Sequence, residues 1–339
     1  MARAALDVGA RGTVTPPRPQ TTTPPRDHAT PGEGAPTLPD DHTIVHRSLL
    51  DGQACVVCTV DVDSGAVTEL YRTHELLLEA PNWTSSGALI LNGNGVLWRL
   101  DGEQGVLTQL VIAGLADLNN DHVPAPDGDT MFVSGHDGHI HRVALSTGEH
   151  RQVTSDDPER PMHHFLHGVD PDNDEIAFVG VEPGADSPWG PANIFTMPSD
   201  GGPVHQITFG DRPADGPEYS PDGEWIYFNT EAFSETDGHA QIARIRRDGT
   251  GLEQLTFDER VNWFAHLAPV GNVACYLSYP PGTTGHPENE TVRLQFVRGD
   301  RWSSASTIVE LFGGQGTINV NSWSPDGRAF AFVAYPLDG

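Results

Sequence analysis

Three histidines and a glutamate stand at nearly the same place ahead of four copies of one turn: His122, His167, His266 and Glu218. Gathered about a common axis, imidazoles and a carboxylate suit a divalent ion such as Mn, Ca or Zn, with His167, His266 and His122 as its ligands. The same groups suit acid–base catalysis without a metal. His167 and His266 would then change charge near neutrality, with Glu218 as their partner. Around them come side chains that recognise hydroxyl-rich ligands. Asn82, His164, Asn262, Trp263 and Asn319 precede turns of the same type, Asn229 and Glu231 follow a strand, and Trp189 and His286 sit in long loops. Each also has a plainer use: loop histidines make ordinary hydrogen bonds, and tryptophans fill space between packed sheets.

What positions these groups is a repeat. Ala125-Pro126-Asp127-Gly128, Asp170-Pro171-Asp172-Asn173, Ser220-Pro221-Asp222-Gly223, Ala268-Pro269-Val270-Gly271 and Ser324-Pro325-Asp326-Gly327 recur along the chain, with a degenerate copy at Thr84-Ser85-Ser86-Gly87. Proline presets φ at the second turn position, aspartate bonds its own backbone and glycine supplies positive φ, so each copy reads as a hairpin. Each is followed by a run of β-forming residues such as Trp225-Ile226-Tyr227-Phe228. Six such units at the spacing of a four-stranded blade predict an all-β, six-bladed β-propeller occupying residues 40–339.

The sixth unit has only two strands. The missing half is expected at the other end, in Val45 to Leu49, Cys55 to Val60 and Val67 to Tyr71, because joining them to the last hairpin removes exposed sheet edges. Residues 1–39, rich in Pro and Thr, read as a flexible tail. Within each hairpin the segment ahead of the turn and the loop after the second strand lie at the same end. That end is the expected binding face, since the longest loops are there.

Composition narrows the partners. The net charge is −28, from 47 acids against 19 bases that are all arginine. Such an excess repels phosphate backbones and anionic lipid, so neither nucleic acid nor a membrane is expected to be a partner. Cys55 and Cys58 point to opposite faces of one strand and only Cys275 remains, so the three read as small buried hydrophobes. No apolar leader core and no run of 18 apolar residues is present, which gives a cytoplasmic location as the expectation.

The Ser-Pro-Asp-Gly turn with an aromatic just before it, Tyr219 or Trp323, resembles the TolB-like propeller repeat over residues 42–339. Oligogalacturonate lyases resemble the chain more distantly. The resemblance implies the propeller fold. It implies a binding role or a carbohydrate lyase or hydrolase activity on oligosaccharide or uronate substrates, the latter with a divalent metal. The reading taken forward is a small polar ligand, of the saccharide class, bound on the axial face, with Glu218, His266 and His167 as catalytic groups. The alternative is a noncatalytic scaffold that binds a protein or metabolite. Because Glu218 and His266 precede their turns, exchanging either is expected to spare the fold.

Overall fold

The computed structural model describes residues 46–184 and 189–337, and Ile44–Gly339 form one compact unit. The 1–39 segment lies outside the described residues. The fold is a six-bladed β-propeller. Five blades are complete antiparallel four-stranded sheets taken in chain order. The first runs Glu79–Trp83, Leu89–Gly93, Val96–Asp101, Val106–Leu110, and the fifth Val261–Leu267, Val273–Tyr279, Glu288–Arg298, Ser306–Gly314. Their inner strands are Glu79–Trp83, Leu118–Pro124, His163–Val169, Ala214–Tyr219 and Val261–Leu267.

The sixth blade closes the ring as expected. Cys55–Asp61 lies between Val67–Thr73 and Ala329–Ala334, with Val56 opposite Ala334 and Asp61 opposite Ala329. Its innermost position is only a bridge from Trp323 to Phe330. Of the expected strand at 45–49, Val45 lies outside the described residues and the remainder is not a strand. Residues 46–50 form an irregular strap, held where the Arg47 guanidinium donates to the Gln315 carbonyl and to Glu79. The cysteines are free and buried, Cys55 and Cys58 packing into different core clusters on the two faces of their strand.

The turn chemistry works as the residue types require. Gly128, Gly223, Gly271 and Gly327 have φ between 67° and 90°, and Asn173 takes the same role at 61°. A second repeat ends the short outer strands. In Gln152-Val153-Thr154, Gln206-Ile207-Thr208 and Gln254-Leu255-Thr256, the threonine hydroxyl accepts from the third strand (Ile140, Ile194 and Ile242 N–H, 2.8–2.9 Å). The glutamine amide then caps the threonine carbonyl at 2.7–2.8 Å. The apolar residue between them turns into the core.

Candidate functional site

Every inner strand slips register against its neighbour: at Glu79/Asn82, Leu118/His122, Leu166/Gly168, Asp215/Glu218 and Trp263/His266. Such bulges insert an extra residue and re-aim its neighbours. Ala80, Gly216 and Phe264 take φ of 53°, 64° and 54° at three of them. Side chains that simple alternation would place elsewhere therefore meet at the axis.

There they line a cavity of about 400 Å³ that includes Asp121, His167, Asp215, Phe264, His286 and Trp189. His167 is its centre. Its Nδ1 lies 3.2 Å from the Asn319 carbonyl, an acceptor, so the proton sits on Nδ1. Nε2 then faces two carboxylates, Asp215 at 3.4 Å and Asp121 at 3.9 Å. Burial raises the pKa of Asp121 from the usual carboxylate value; a proton taken up by His167 opposes this, and the nearby Asp215 adds to it. Phe264 stacks on His167 with ring centroids 5.8 Å apart and meets His286 edge-on at 5.2 Å. Trp189, more than half exposed, stands beside Phe165 and His163.

Of the residues expected from sequence, His167, His286, Asn319 and Trp189 line this cavity. Trp263 does not line it but packs edge-on to His286, which does. Asn229 braces the site from beneath, accepting the Phe264 N–H at 3.2 Å. The others serve the scaffold. Asn82 donates to the Asn321 carbonyl, tying the first blade to the segment that enters the sixth. Asn262 bonds Asp258 and Thr256 between blades, and Glu231 accepts the Gly238 N–H and orders its own loop. His164 bonds the Gly138 carbonyl, and His122 lies between the carbonyls of Asn120 and Ile90.

Both buried imidazoles are held neutral. Burial lowers His122 to about 4, and burial reinforced by His139 and His163 does the same for His164. An unfolded chain takes up these protons near the ordinary value of about 6.5 while the folded protein does not. Stability is thus complete above that pH and falls as pH drops from about 6.5 toward 4. His122 alone accounts for roughly 3 kcal/mol. Urea unfolding at pH 7.5 and 4.5 should show the loss, reduced in His122→Gln; an equal loss in that variant would assign it elsewhere.

Glu218 and His266 lie below the cavity and are committed to each other. His266 Nδ1 is 2.6 Å from Glu218 Oε2 and its Nε2 is 2.6 Å from the Ile318 carbonyl. The other Glu218 oxygen accepts from the Leu267 N–H and from Asn321 Nδ2. Both residues are buried, and the network joins the fourth and fifth blades to the segment entering the sixth. Their exchange will therefore not spare the fold. Glu218→Ala strands three donors and should cost about 3–5 kcal/mol of unfolding free energy by denaturant titration. A loss under about 1 kcal/mol would contradict the ion-pair reading.

This arrangement also answers the metal expectation. Both ring nitrogens of His266 are engaged, His122 is fully enclosed between two backbone carbonyls, and among the described residues no group of three or more His, Cys, Asp or Glu is placed to hold an ion. The His167–His266–His122 set does not fit a divalent metal. Residues that sequence reasoning passed over, Asp121, Asp215 and Phe264, hold the positions at the cavity. The available signal was Asp215-Gly216, a glycine inside a strand, which marks a bulge.

On the opposite face His167 reaches a second cavity, of about 370 Å³, rimmed by turn prolines (Pro126, Pro171, Pro221, Pro269, Pro325). No helix among the described residues is long and apolar enough to cross a membrane.

No protein-family model matches the chain. It is 36% identical over 272 residues to an uncharacterized protein of Agrobacterium fabrum, covering 78% of this chain and 87% of that one. Among solved structures it is similar to a candidate TolB from Agrobacterium tumefaciens, with 32% identity, a TM-score of 0.75 and 84% and 99% of the two chains covered. An oligogalacturonate lyase solved with manganese shares the fold at a TM-score of 0.53 and 16% identity, over 83% of this chain and 78% of that one.

Proposed function

The chain belongs to the TolB-like propeller family of these two Agrobacterium proteins, and from the site it builds on that fold we propose that it binds a saccharide at the axial cavity and performs acid–base chemistry on it. One observation carries the reading: an imidazole with a fixed tautomer between two buried-to-half-buried carboxylates, at the floor of a ligand-sized cavity. Carboxyl groups whose environments differ divide the roles. Asp121, pushed toward its protonated form by burial, is the general acid. His167 takes a proton on Nε2 as general base, and Asp215 stabilises the imidazolium that results. Trp189 and Phe165 form an aromatic wall on which the apolar face of a sugar ring can stack.

The charge balance favours a neutral sugar over a uronate. The Asp215 carboxylate in the cavity and a net charge of −28 repel a further anion. The reading needs no metal. Similarity to the candidate TolB favours a second reading, a noncatalytic binding propeller. The deciding experiment is product analysis by mass spectrometry across a neutral oligosaccharide library, alongside calorimetry on the same compounds. Turnover supports the enzyme, binding without turnover leaves the scaffold, and neither outcome for any sugar would end the saccharide reading.

A further inference from the structure

Beside the axial cavity lies a second one of about 550 Å³, and the two share the wall formed by Asn119, Asn120 and Gln315. Gln315 faces both ways. Its side-chain oxygen is 2.5 Å from His286 Nδ1 on the axial side, and its carbonyl accepts from Arg47 Nη1 on the other. The outer cavity is built largely of amides, with Asn92, Asn94 and Asn289 added to the shared three, and the irregular strap supplies His46 and Arg47. Its acids are Glu79 and Glu288, and Glu79 is occupied by Arg47. Asn92 Nδ2 and Arg47 Nε and Nη2 are buried there with no partner.

The geometry points to one elongated ligand across both cavities: the reacting sugar over His167, and at least one further sugar unit in the amide-lined outer cavity. This rests on the saccharide reading of the axial site and goes beyond it, because it makes the substrate an oligomer. Three features support it. The outer cavity is as large as the inner one and shares a wall with it, which a single small ligand would leave largely unused. Amides pair donor and acceptor in one group and so match a hydroxyl, which is also both. Glu288, the acid not paired with Arg47, and the net charge of −28 disfavour an anionic extension, and a neutral sugar unit carries no charge to repel.

Two substitutions probe the outer cavity without touching the axial groups. Asn94 is exposed with φ of 52°, so Asn94→Gly deletes the amide in a backbone conformation that glycine adopts freely. His136 is exposed at the rim, and His136→Trp narrows the space. The probes are an immobilised array of neutral mono-, di- and trisaccharides, followed by calorimetry on the sugars that bind. Wild type should bind its best di- or trisaccharide about tenfold or more tighter than the matching monosaccharide, a difference of about 1.4 kcal/mol. Both variants should shrink that margin several-fold and leave monosaccharide affinity unchanged. A margin that survives both variants, or monosaccharides that bind as well as oligomers, overturns the outer subsite while the axial reading stands. Binding of no sugar on the array overturns both.

Discussion

Asp215→Asn should lower kcat on the best oligosaccharide substrate by about 10²–10⁴-fold, the usual size of a lost acid–base contribution, with KM changed only a few-fold. The substitution conserves shape. Asp215 Oδ1 accepts the Gly216 N–H at 2.6 Å, and an asparagine oxygen can keep that bond. What disappears is the negative charge 3.4 Å from His167 Nε2, which favours the imidazolium as it forms. His167→Gln should be at least as damaging, since no titrating group then remains between the two carboxylates. A structural role predicts a different pattern, with Tm falling and kcat and KM drifting together. Stopped-flow or end-point kinetics on both variants, with a thermal melt beside each, separates the two. Wild-type kcat in Asp215→Asn would remove the acid–base assignment from this cavity.

The other large effect concerns closure. Deleting residues 1–73 removes Cys55–Asp61 and Val67–Thr73, leaving Ala329–Ala334 an open edge. Cys55, Val56, Val57, Cys58 and Val60 are all buried. At roughly 1.5–3 kcal/mol for each buried apolar side chain, their loss removes about 10 kcal/mol. That equals the whole stability of many domains, about 5–15 kcal/mol. The truncated chain should show no cooperative melt and should aggregate through its exposed strand. A subtler version is Val57→Asp, which buries an unpaired charge at a fully enclosed position opposite Val333. Calorimetry decides: a sharp transition near the wild-type temperature for residues 74–339 would mean that the five remaining blades are self-sufficient.

These two expectations differ in how much of them was legible in sequence. Turn residues act locally, so Pro221-Asp222-Gly223 and its relatives locate hairpins without any knowledge of the rest, and the hairpins count the blades. Closure follows from one further step, that a two-strand last unit must find partners. The axial site is a different matter. It depends on which side chain of each inner strand faces the axis, and a one-residue bulge changes that answer. Strict equivalence of position selected His122, Glu218 and His266. The bulges at Leu118/His122, Asp215/Glu218 and Trp263/His266 bring Asp121, Asp215 and Phe264 to the cavity instead. His167 was found because, although its own strand also slips at Leu166/Gly168, its side chain still reaches the axis. The Gln-x-Thr caps went unread, because their purpose lies in bonds to the neighbouring strand, which sequence does not display.

The pairing of Val56 with Ala334 also sets an order of events during synthesis. At the usual 5–20 residues per second, the chain between them takes roughly a quarter of a minute to a minute to emerge. Through that interval Cys55–Asp61, apolar and strand-forming, has no partner on its inner side. It is a sticky edge waiting on Ala329–Ala334. The blades behind it can each assemble as local hairpins, so most of the molecule is ready before the ring can shut. A cell making this protein must therefore shield one short segment, residues 55–61, until Ala329–Ala334 has been made. Faster elongation, or a chaperone held on residues 55–61, should raise the soluble yield more than any change in the middle blades.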